Sequence, residues 1–433
     1  MTHDTRLRLQ ALWDHLGLAS AHVATQMAGD IAPFVQSAPD RLGFVVLCTP
    51  SRLDPAPFAP VASRLILISG ERGMSASVTA AAQARLPATT RYVLRDYDAP
   101  GWADVVADRA AQITDILSAL PPLPSVNLPP SSGTHAGITY TIKGCGPPLV
   151  LLPFFLAPSQ WEPALPRLAE RFTTIVLGGR HLGGVAALED RAAGPSYRSL
   201  VNTLWDSMAI TATATILDVG CGSGALDRLL APRVGNGRII ATDLNPFLLR
   251  EAAVLAHGHP RIAFQQANAE HLPFADSTFD AAFTVTVLEE CDADKALREL
   301  HRVVRPGGRV GVIVRAIDLP QWWNLDLSSE LASKATIPPQ SVGSAGVADA
   351  SLYPRMQQAG FVSMSCFPSL VTFDNPDGPI WRYREDHILA QLSLAETTAW
   401  HAATSKAQQA GLLFMSNPMH CAVGTRPEGT PPC

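Results

Sequence analysis

The sequence predicts an α/β protein of two domains, and three observations carry that prediction. The stretch Ile216-Leu217-Asp218-Val219-Gly220-Cys221-Gly222-Ser223-Gly224 reads as a buried strand that ends in a glycine loop and runs straight into a helix. Short apolar runs alternate with helical patterns both in residues 1–120 and after residue 196. The chain has 433 residues, more than one such domain needs, and its 47% hydrophobic and 16% charged residues are a globular composition.

Taken in chain order, residues 21–24, 42–47, 65–69 and 92–94 read as short buried strands, and 102–120 as a long amphipathic helix. The proline-rich stretch 121–133 reads as an extended linker. After it come Gly137-Ile138-Thr139-Tyr140, the apolar run 149–157, Trp161 and the run 171–179. The run 149–157 is too short to span a bilayer and fits a buried strand. The opening Met1-Thr2-His3-Asp4-Thr5-Arg6 lacks the apolar core of a signal peptide. Weaker punctuation over 183–196 precedes the second domain.

The phrasing of residues 1–182 resembles that of the α/β-hydrolases, with the two halves in reverse order. Residues 16–30 are similar to the strand leading into the nucleophile elbow, with Thr25-Gln26-Met27-Ala28-Gly29 where that family has G-x-S-x-G. Met27 stands at the nucleophile position, and a thioether has no proton to lose, so the serine mechanism is absent there. The segments 68–73 and 96–102 stand where the acid and histidine are expected, without a histidine. Pro153-Phe154 replaces the usual His-Gly, and proline has no amide hydrogen for an oxyanion. Residues 1–185 are expected to form one degenerate, circularly permuted α/β-hydrolase-like domain closed across the linker 121–133; two small independent α/β pieces are the alternative. Either half alone would leave a sheet edge and an apolar face uncovered.

In the second domain the glycines alone are ambiguous, because Gly220-x-Gly222-x-x-Ala225 also satisfies a dinucleotide fingerprint. A second strand, 238–243, ends in Asp243, whose carboxylate can accept both hydroxyls of a ribose in either case. Three later pieces separate the readings: Ala267-Asn268-Ala269-Glu270 after a third strand at 262–265, Phe279-Asp280-Ala281-Ala282-Phe283 opening a fourth, and the turn Arg305-Pro306-Gly307-Gly308 before a fifth. This ordered set resembles the class I S-adenosylmethionine-dependent methyltransferases, in particular the small-molecule branch with the ubiquinone/menaquinone C-methyltransferases. The resemblance covers roughly residues 196–425 and implies a Rossmann-like sheet with an antiparallel last strand, here expected as a hairpin of 411–415 with 421–424. The domain is expected over 196–427.

The resemblance implies S-adenosyl-L-methionine as cofactor. It implies that Gly220, Gly222 and Gly224 pack against the methionine moiety, that Asp218 helps hold its amino end, and that Asp243 takes the ribose diol. Asn268 and the Ala269 amide would read the adenine edge, with Leu244 and Thr284 completing the cofactor site. Asn268 departs from the family's frequent aspartate, and its added donor makes its orientation a question.

On the acceptor side, Glu289 and Glu290 lie in the loop after the fourth strand, and Glu290 matches most closely the polar or histidine residue of related enzymes. Either could orient or deprotonate an acceptor, or cap the helix beginning near Asp292. Trp322 and Trp323, expected in a loop beside the cofactor mouth, suggest an apolar or aromatic acceptor or pack a lid. Residues 337–350 are expected to form such a lid, ordering on substrate binding.

Formal net charge is −5, and of 33 basic residues only Lys143, Lys295, Lys334 and Lys406 are lysines, which argues against a nucleic-acid partner. Seven cysteines, odd in number and without C-x-x-C spacing, read as reduced thiols of a cytoplasmic protein. Cys145, Cys221 and Cys291 are too dispersed for an arsenite methyltransferase, His257-Gly258-His259 reads as a turn rather than a metal site, and His420-Cys421 as sheet residues; no metal is expected. The function expected is methyl transfer to an O or C atom of an apolar or aromatic small molecule. The N-terminal domain would then serve as a lid or dimerisation platform, and a homodimer is the candidate assembly. The alternatives are a non-methylating reaction in the same fold and a hydrolase with an unrecognised nucleophile.

Overall fold

Eight short runs in the first part of the chain pair into one sheet: β1 (Ala21–Thr25), β2 (Leu42–Cys48), β3 (Leu65–Gly70), β4 (Thr90–Leu94), β5 (Ser131–His135), β6 (Ile138–Lys143), β7 (Pro148–Leu151) and β8 (Thr173–Gly178). The structure is a computed structural model that describes residues 5–98, 105–155, 157–376, 378–389 and 391–428. The chain forms two compact units, Met1–Ala186 and Ala187–Cys433.

The strand order of the first unit is β4-β3-β2-β1-β7-β8-β6-β5. The six strands from β4 to β8 along that path are parallel. β6 runs antiparallel to both β8 and β5. Central parallel strands are covered on both faces, which is why β3 and β7 are apolar or small throughout and wholly buried, and β1 is wholly buried with its His22 ring bonded to the Pro121 carbonyl and the Phe44 amide. One face packs on Trp13, Phe34 and Phe58. The other packs on Ile113, Phe154 and Trp161. Pairing of β1 with β7 joins the residues before the linker to those after it, so the two halves share one sheet.

Several local expectations change. The segment 131–133, read as linker, already belongs to β5, a polar strand that period-2 apolar patterning does not reveal. The stretch 183–196 is helical, with helices Gly183–Ala193 and Pro195–Ser207. Residues 1–4 lie outside the described residues, as do 99–104, so the start of the helix expected over 102–120 does too; its described part is Val105–Ser118. Met27 follows β1 at φ −88°, an ordinary backbone rather than a strained nucleophile turn. Beside it the buried Gln26 donates to Thr49 and accepts from the Phe155 amide.

The second unit holds β9 (Thr215–Val219), β10 (Arg238–Asp243), β11 (Ile262–Gln266), β12 (Phe279–Val285), β13 (Val304–Arg315), β14 (Trp322–Trp323), β15 (Val362–Cys366), β16 (Ser369–Phe373) and β17 (Met415–Thr425). Their order is β11-β10-β9-β12-β13-β17-β14, with β15 and β16 also paired to β17. β9 to β13 are parallel and β17 is antiparallel to β13. The Rossmann-like class I sheet with an antiparallel last strand is therefore present. Its crossover helix Ala293–Val303 buries Ala293, Ala296, Leu297, Leu300 and Val303, the i, i+3, i+4, i+7 stripe of an amphipathic helix.

The expected hairpin of 411–415 with 421–424 does not form. Residues 411–414 lie before the strand and only Met415 of the first segment enters it; 415–425 form a single 11-residue strand paired with β13 on one side and with β15 and β16 on the other. The Arg305-Pro306-Gly307-Gly308 turn is clipped to the end of β17, with the Gly307 amide donating to the Arg426 carbonyl and the Arg426 amide to that of Gly308, each at 2.9 Å.

Expressed alone, residues 1–186 should unfold cooperatively, because both faces of their sheet are covered within that span. Residues 1–128 should not, since β1 would lose β7 and present a bare parallel edge. Circular-dichroism melts decide between these; a cooperative transition for 1–128 would show the two halves to be independent.

Candidate functional site

β9 ends at Val219 and the chain turns at once into the helix Ala225–Val234. Gly220 and Gly222 take φ +82° and +55°, conformations that side chains rarely adopt, and a Cβ on Gly220 would meet Val287 Cγ2 at 2.1 Å. The loop amides are spent internally. Gly220 and Cys221 donate to the Thr242 carbonyl (2.7 and 2.8 Å), Gly222 to Asp243 Oδ2 (2.9 Å), and Gly224 to the Cys221 carbonyl (2.9 Å). A loop that cradles phosphate keeps such amides free.

What the loop presents instead is negative. Asp218, at the carboxyl end of β9, is 2% exposed and lines the cavity with Leu188, Arg191, Tyr197, Gly220 and Gly222. Burial, then the Asp227 and Asp243 carboxylates, hold its carboxyl well above the usual carboxylate range. Asp227, fully buried behind it, is pushed up to about 7, again chiefly by burial. Asp243 accepts from Gly222 at Oδ2 and from Asn245 at Oδ1 (2.9 Å), and an ionised carboxylate has further lone pairs for a diol. A buried cluster of carboxyls is relieved by a cation and aggravated by an anion.

The other cofactor positions divide. Leu244, beside Asp243, is 63% exposed, an apolar surface held out at the strand end. Asn268 is exposed, and its Oδ1 accepts from the Glu270 amide at 2.9 Å, which settles its orientation: one lone pair and the amide hydrogens remain outward. Ala269 is half-buried next to it. Thr284 is a correction. Its hydroxyl donates to the Val219 carbonyl at 2.8 Å and the residue has no exposed surface, so it ties β12 to β9 rather than facing a ligand.

Beyond β12, Thr286 sits at φ +57°, strained for a β-branched residue, and its hydroxyl accepts from Arg191 at 2.9 Å. The two acids that follow part company. Glu290 is exposed, whereas Glu289 is 1% exposed, with Oε1 accepting from the Arg315 amide at 2.8 Å and Oε2 without a hydrogen-bond partner. Neither caps the next helix; Asp292 does, accepting from the Lys295 amide at 3.1 Å. Residues 337–350, expected to be a lid, are fastened to this loop: Gly343 donates to the Glu289 carbonyl (2.7 Å), Val347 to that of Leu288 (2.9 Å), and Ala293 to that of Ala345 (3.1 Å).

The paired tryptophans form the short edge strand β14 rather than a loop. Trp323 is buried edge-on against Trp381 (4.9 Å) and Trp400 (5.0 Å), and Trp322 remains 51% exposed. His257 and His259 sit in a turn, and among the described residues no group of acids, histidines and cysteines could hold a metal. His420 is more than a sheet residue: its ring nitrogens bond Asp318 Oδ1 and the Tyr353 hydroxyl, each at 2.8 Å. These three residues are far apart in sequence, so no local motif signals them.

Burial pushes the Glu289 carboxyl up to about 7 against the pull of the Arg315 amide and charge. Folding thus favours its protonated form, and that stabilisation is complete below the ordinary glutamate range and lost as pH rises through 7. Relative to Glu289→Gln, which stays neutral, the wild type should lose up to about 3 kcal/mol of stability between about pH 5 and 8. Urea midpoints at the two pH values measure this; a constant gap between the proteins would refute it.

Residues 217–312 match the family described as "Methyltransferase domain". The chain is 38% identical over 123 residues to the ubiquinone/menaquinone biosynthesis C-methyltransferase of Hahella chejuensis, covering 26% of this chain and 49% of that protein. It is 36% identical over 146 residues to the 2-phytyl-1,4-naphtoquinone methyltransferase of a Nostoc species, covering 30% of this chain and 63% of that protein. These matches thus span only about half to three-fifths of the relatives' own length. Among solved structures, the YcgJ protein of Bacillus subtilis is 20% identical with a TM-score of 0.39, over 54% of this chain and all of that one. The family match lies wholly within the second unit.

Proposed function

We propose that the chain is an S-adenosylmethionine-dependent methyltransferase acting on an O or C atom of a small molecule. The observation that carries the reading is the glycine loop: three of its amides are closed on β10 and three carboxyls surround it, an environment that favours a cationic ligand over a pyrophosphate. The dinucleotide alternative loses its chemical basis there. Bound S-adenosylmethionine supplies an activated methyl group on a sulfonium.

The chain's own residues would then act as follows. Asp243 takes the ribose hydroxyls with its remaining lone pairs, Leu244 offers its exposed side chain to the base, and Asn268 with the Ala269 amide meets the polar edge of the base. Asp218, whose carboxyl burial and the neighbouring carboxylates hold above the usual range, would meet the amino end, where a bound cation favours its ionised form. Glu289 is the better candidate of the two acids for accepting a proton from the acceptor, because Oε2 has no other partner and the group titrates near neutrality. Quinone-like acceptors are suggested by the names of the two relatives.

The first unit is read as a permuted α/β-hydrolase-like framework that has lost hydrolase chemistry. Its strand order and the antiparallel β6 support this, as does Gln26, which occupies the Phe155 amide next to the elbow. Six described cysteines form no disulfide, which supports a reducing, cytoplasmic location, and no described helix is long and apolar enough to cross a membrane. A homodimer remains the proposed assembly, measured by sedimentation equilibrium.

Calorimetry should find S-adenosylhomocysteine binding to the full chain, with Asp243→Ala weakening it at least about tenfold, the worth of a charge-assisted hydrogen bond. Methyl transfer is then sought across phenols and quinones. No binding, or binding indifferent to Asp243→Ala, would overturn the reading.

A further inference from the structure

Arg384 lies in the helix Pro379–Leu389, between β16 and β17, and is 7% exposed. Burying a guanidinium is costly unless a carboxylate meets it. Arg384 meets none among the described residues: its one hydrogen bond is to Gln321 Oε1 at a long 3.5 Å, and its other neighbour is the Tyr383 ring, 5.8 Å from the guanidinium carbon. The adjacent acid, Glu385, is committed elsewhere, accepting from Trp400 Nε1 at Oε1 (2.7 Å) and from Trp381 Nε1 at Oε2 (3.2 Å).

Gln321 is aimed at this charge by its own bonds. Its amide nitrogen donates to the Ala335 carbonyl at 2.8 Å and the Ile337 carbonyl at 3.3 Å, which leaves the oxygen toward Arg384. A second cation is near: Arg315, at the end of β13, has a side chain only 17% exposed and repels Arg384. Arg315 itself is shared between Glu289 Oε1, a distant 3.7 Å from Nε, and the Ser341 carbonyl. Burial and that repulsion lower Arg384 to about 10, still charged at neutral pH. Arg315 thus has only a distant carboxylate and Arg384 has none among the described residues, and the carboxyl that Arg315 meets, Glu289, is itself pushed up to about 7 by burial.

We infer that Arg384, seconded by Arg315 and oriented by Gln321, is an anion subsite on the acceptor side, so that the methyl acceptor carries a carboxylate or phosphate. The placement follows the sheet: the glycine loop tops β9 and β10, whereas Arg315 and Gln321 follow β13, on the side away from β11. An oxyanion there supplies the missing counter-charge and accepts bidentately from a guanidinium. This inference rests on the methyltransferase reading for the word acceptor, and on the buried arginine alone for the anion.

The test is thermal unfolding of the full chain at fixed ionic strength, with inorganic phosphate, sodium benzoate, neutral benzamide or S-adenosylhomocysteine added separately. Wild type should be stabilised by phosphate or benzoate and not by benzamide, and the effective anion tells phosphate from carboxylate. Arg384→Met should melt about 2–4 °C higher than wild type without ligand, because an unpaired buried charge has been removed, and lose the anion response. Arg384→Lys should keep part of that response. S-adenosylhomocysteine should stabilise wild type and Arg384→Met alike. No response to either anion, an equal response in Arg384→Met, or an Arg384→Met protein that melts lower or does not fold, overturns the subsite. Loss of the S-adenosylhomocysteine response in wild type overturns the methyltransferase reading instead, and the anion arms then judge the subsite by themselves.

Discussion

The hydrogen bonds from the glycine loop to the end of β10 are the constraint on which the site depends. Thr242 offers its carbonyl to two loop amides and Asp243 its carboxylate to a third. This closes the turn between β9 and its helix through the positive-φ glycines 220 and 222. It also places the Asp243 carboxylate beside Asp218 rather than out in solvent. Burial first, and then the neighbouring carboxylates, raise Asp218, and burial raises Asp227 behind it, an environment in which a bound cation is favoured. The backbone geometry thus sets the electrostatics, and the electrostatics select the ligand.

A second fixed point lies across the sheet at Glu289. Its side chain receives the Arg315 amide, and its backbone carbonyl receives the Gly343 amide. One residue therefore joins the loop after β12, the end of β13 and the strap 337–350. That is why the strap is fastened at several points instead of standing open as a lid. A carboxyl used so heavily for structure would be poor at chemistry if both oxygens were committed, but Oε2 is not.

Motifs whose parts are adjacent in sequence were legible: the strand and glycine loop at 216–224, Asp243 at the end of the next strand, and the parallel order of the second sheet. What was not legible depends on partners distant in the chain. Thr284 looks like a ligand-facing residue at a strand end, and only the Val219 carbonyl across β9 reveals its role. β17 reads as two pieces because Asn417 and Pro418 interrupt its apolar pattern, yet β13 on one flank and β15 with β16 on the other hold it straight. Trp322 and Trp323 look like one feature, but alternation along β14 sends them to opposite environments. In the first unit β2, β3 and β7 were legible from their apolar runs, whereas the polar β5 was not, and β4, read as a buried strand over 92–94, leaves Tyr92 and Val93 exposed at the sheet edge.

Burial explains the most important omission. From sequence, Glu289 and Glu290 are equivalent acids, and Arg384 is one arginine of a mixed-charge helix. Folding exposes Glu290, desolvates Glu289 until burial pushes it up to about 7, and leaves Arg384 without a carboxylate among the described residues. The resulting charge pattern divides the functional edge of the sheet. Excess carboxyl surrounds the glycine loop at β9 and β10, and excess guanidinium lies beyond β13 at Arg315 and Arg384. A native fold retains uncompensated buried charge of either sign only at a cost to its stability. Here burial shifts the loop carboxyls toward their neutral forms while Arg384 keeps its charge at neutral pH, so that cost falls mainly on the arginine.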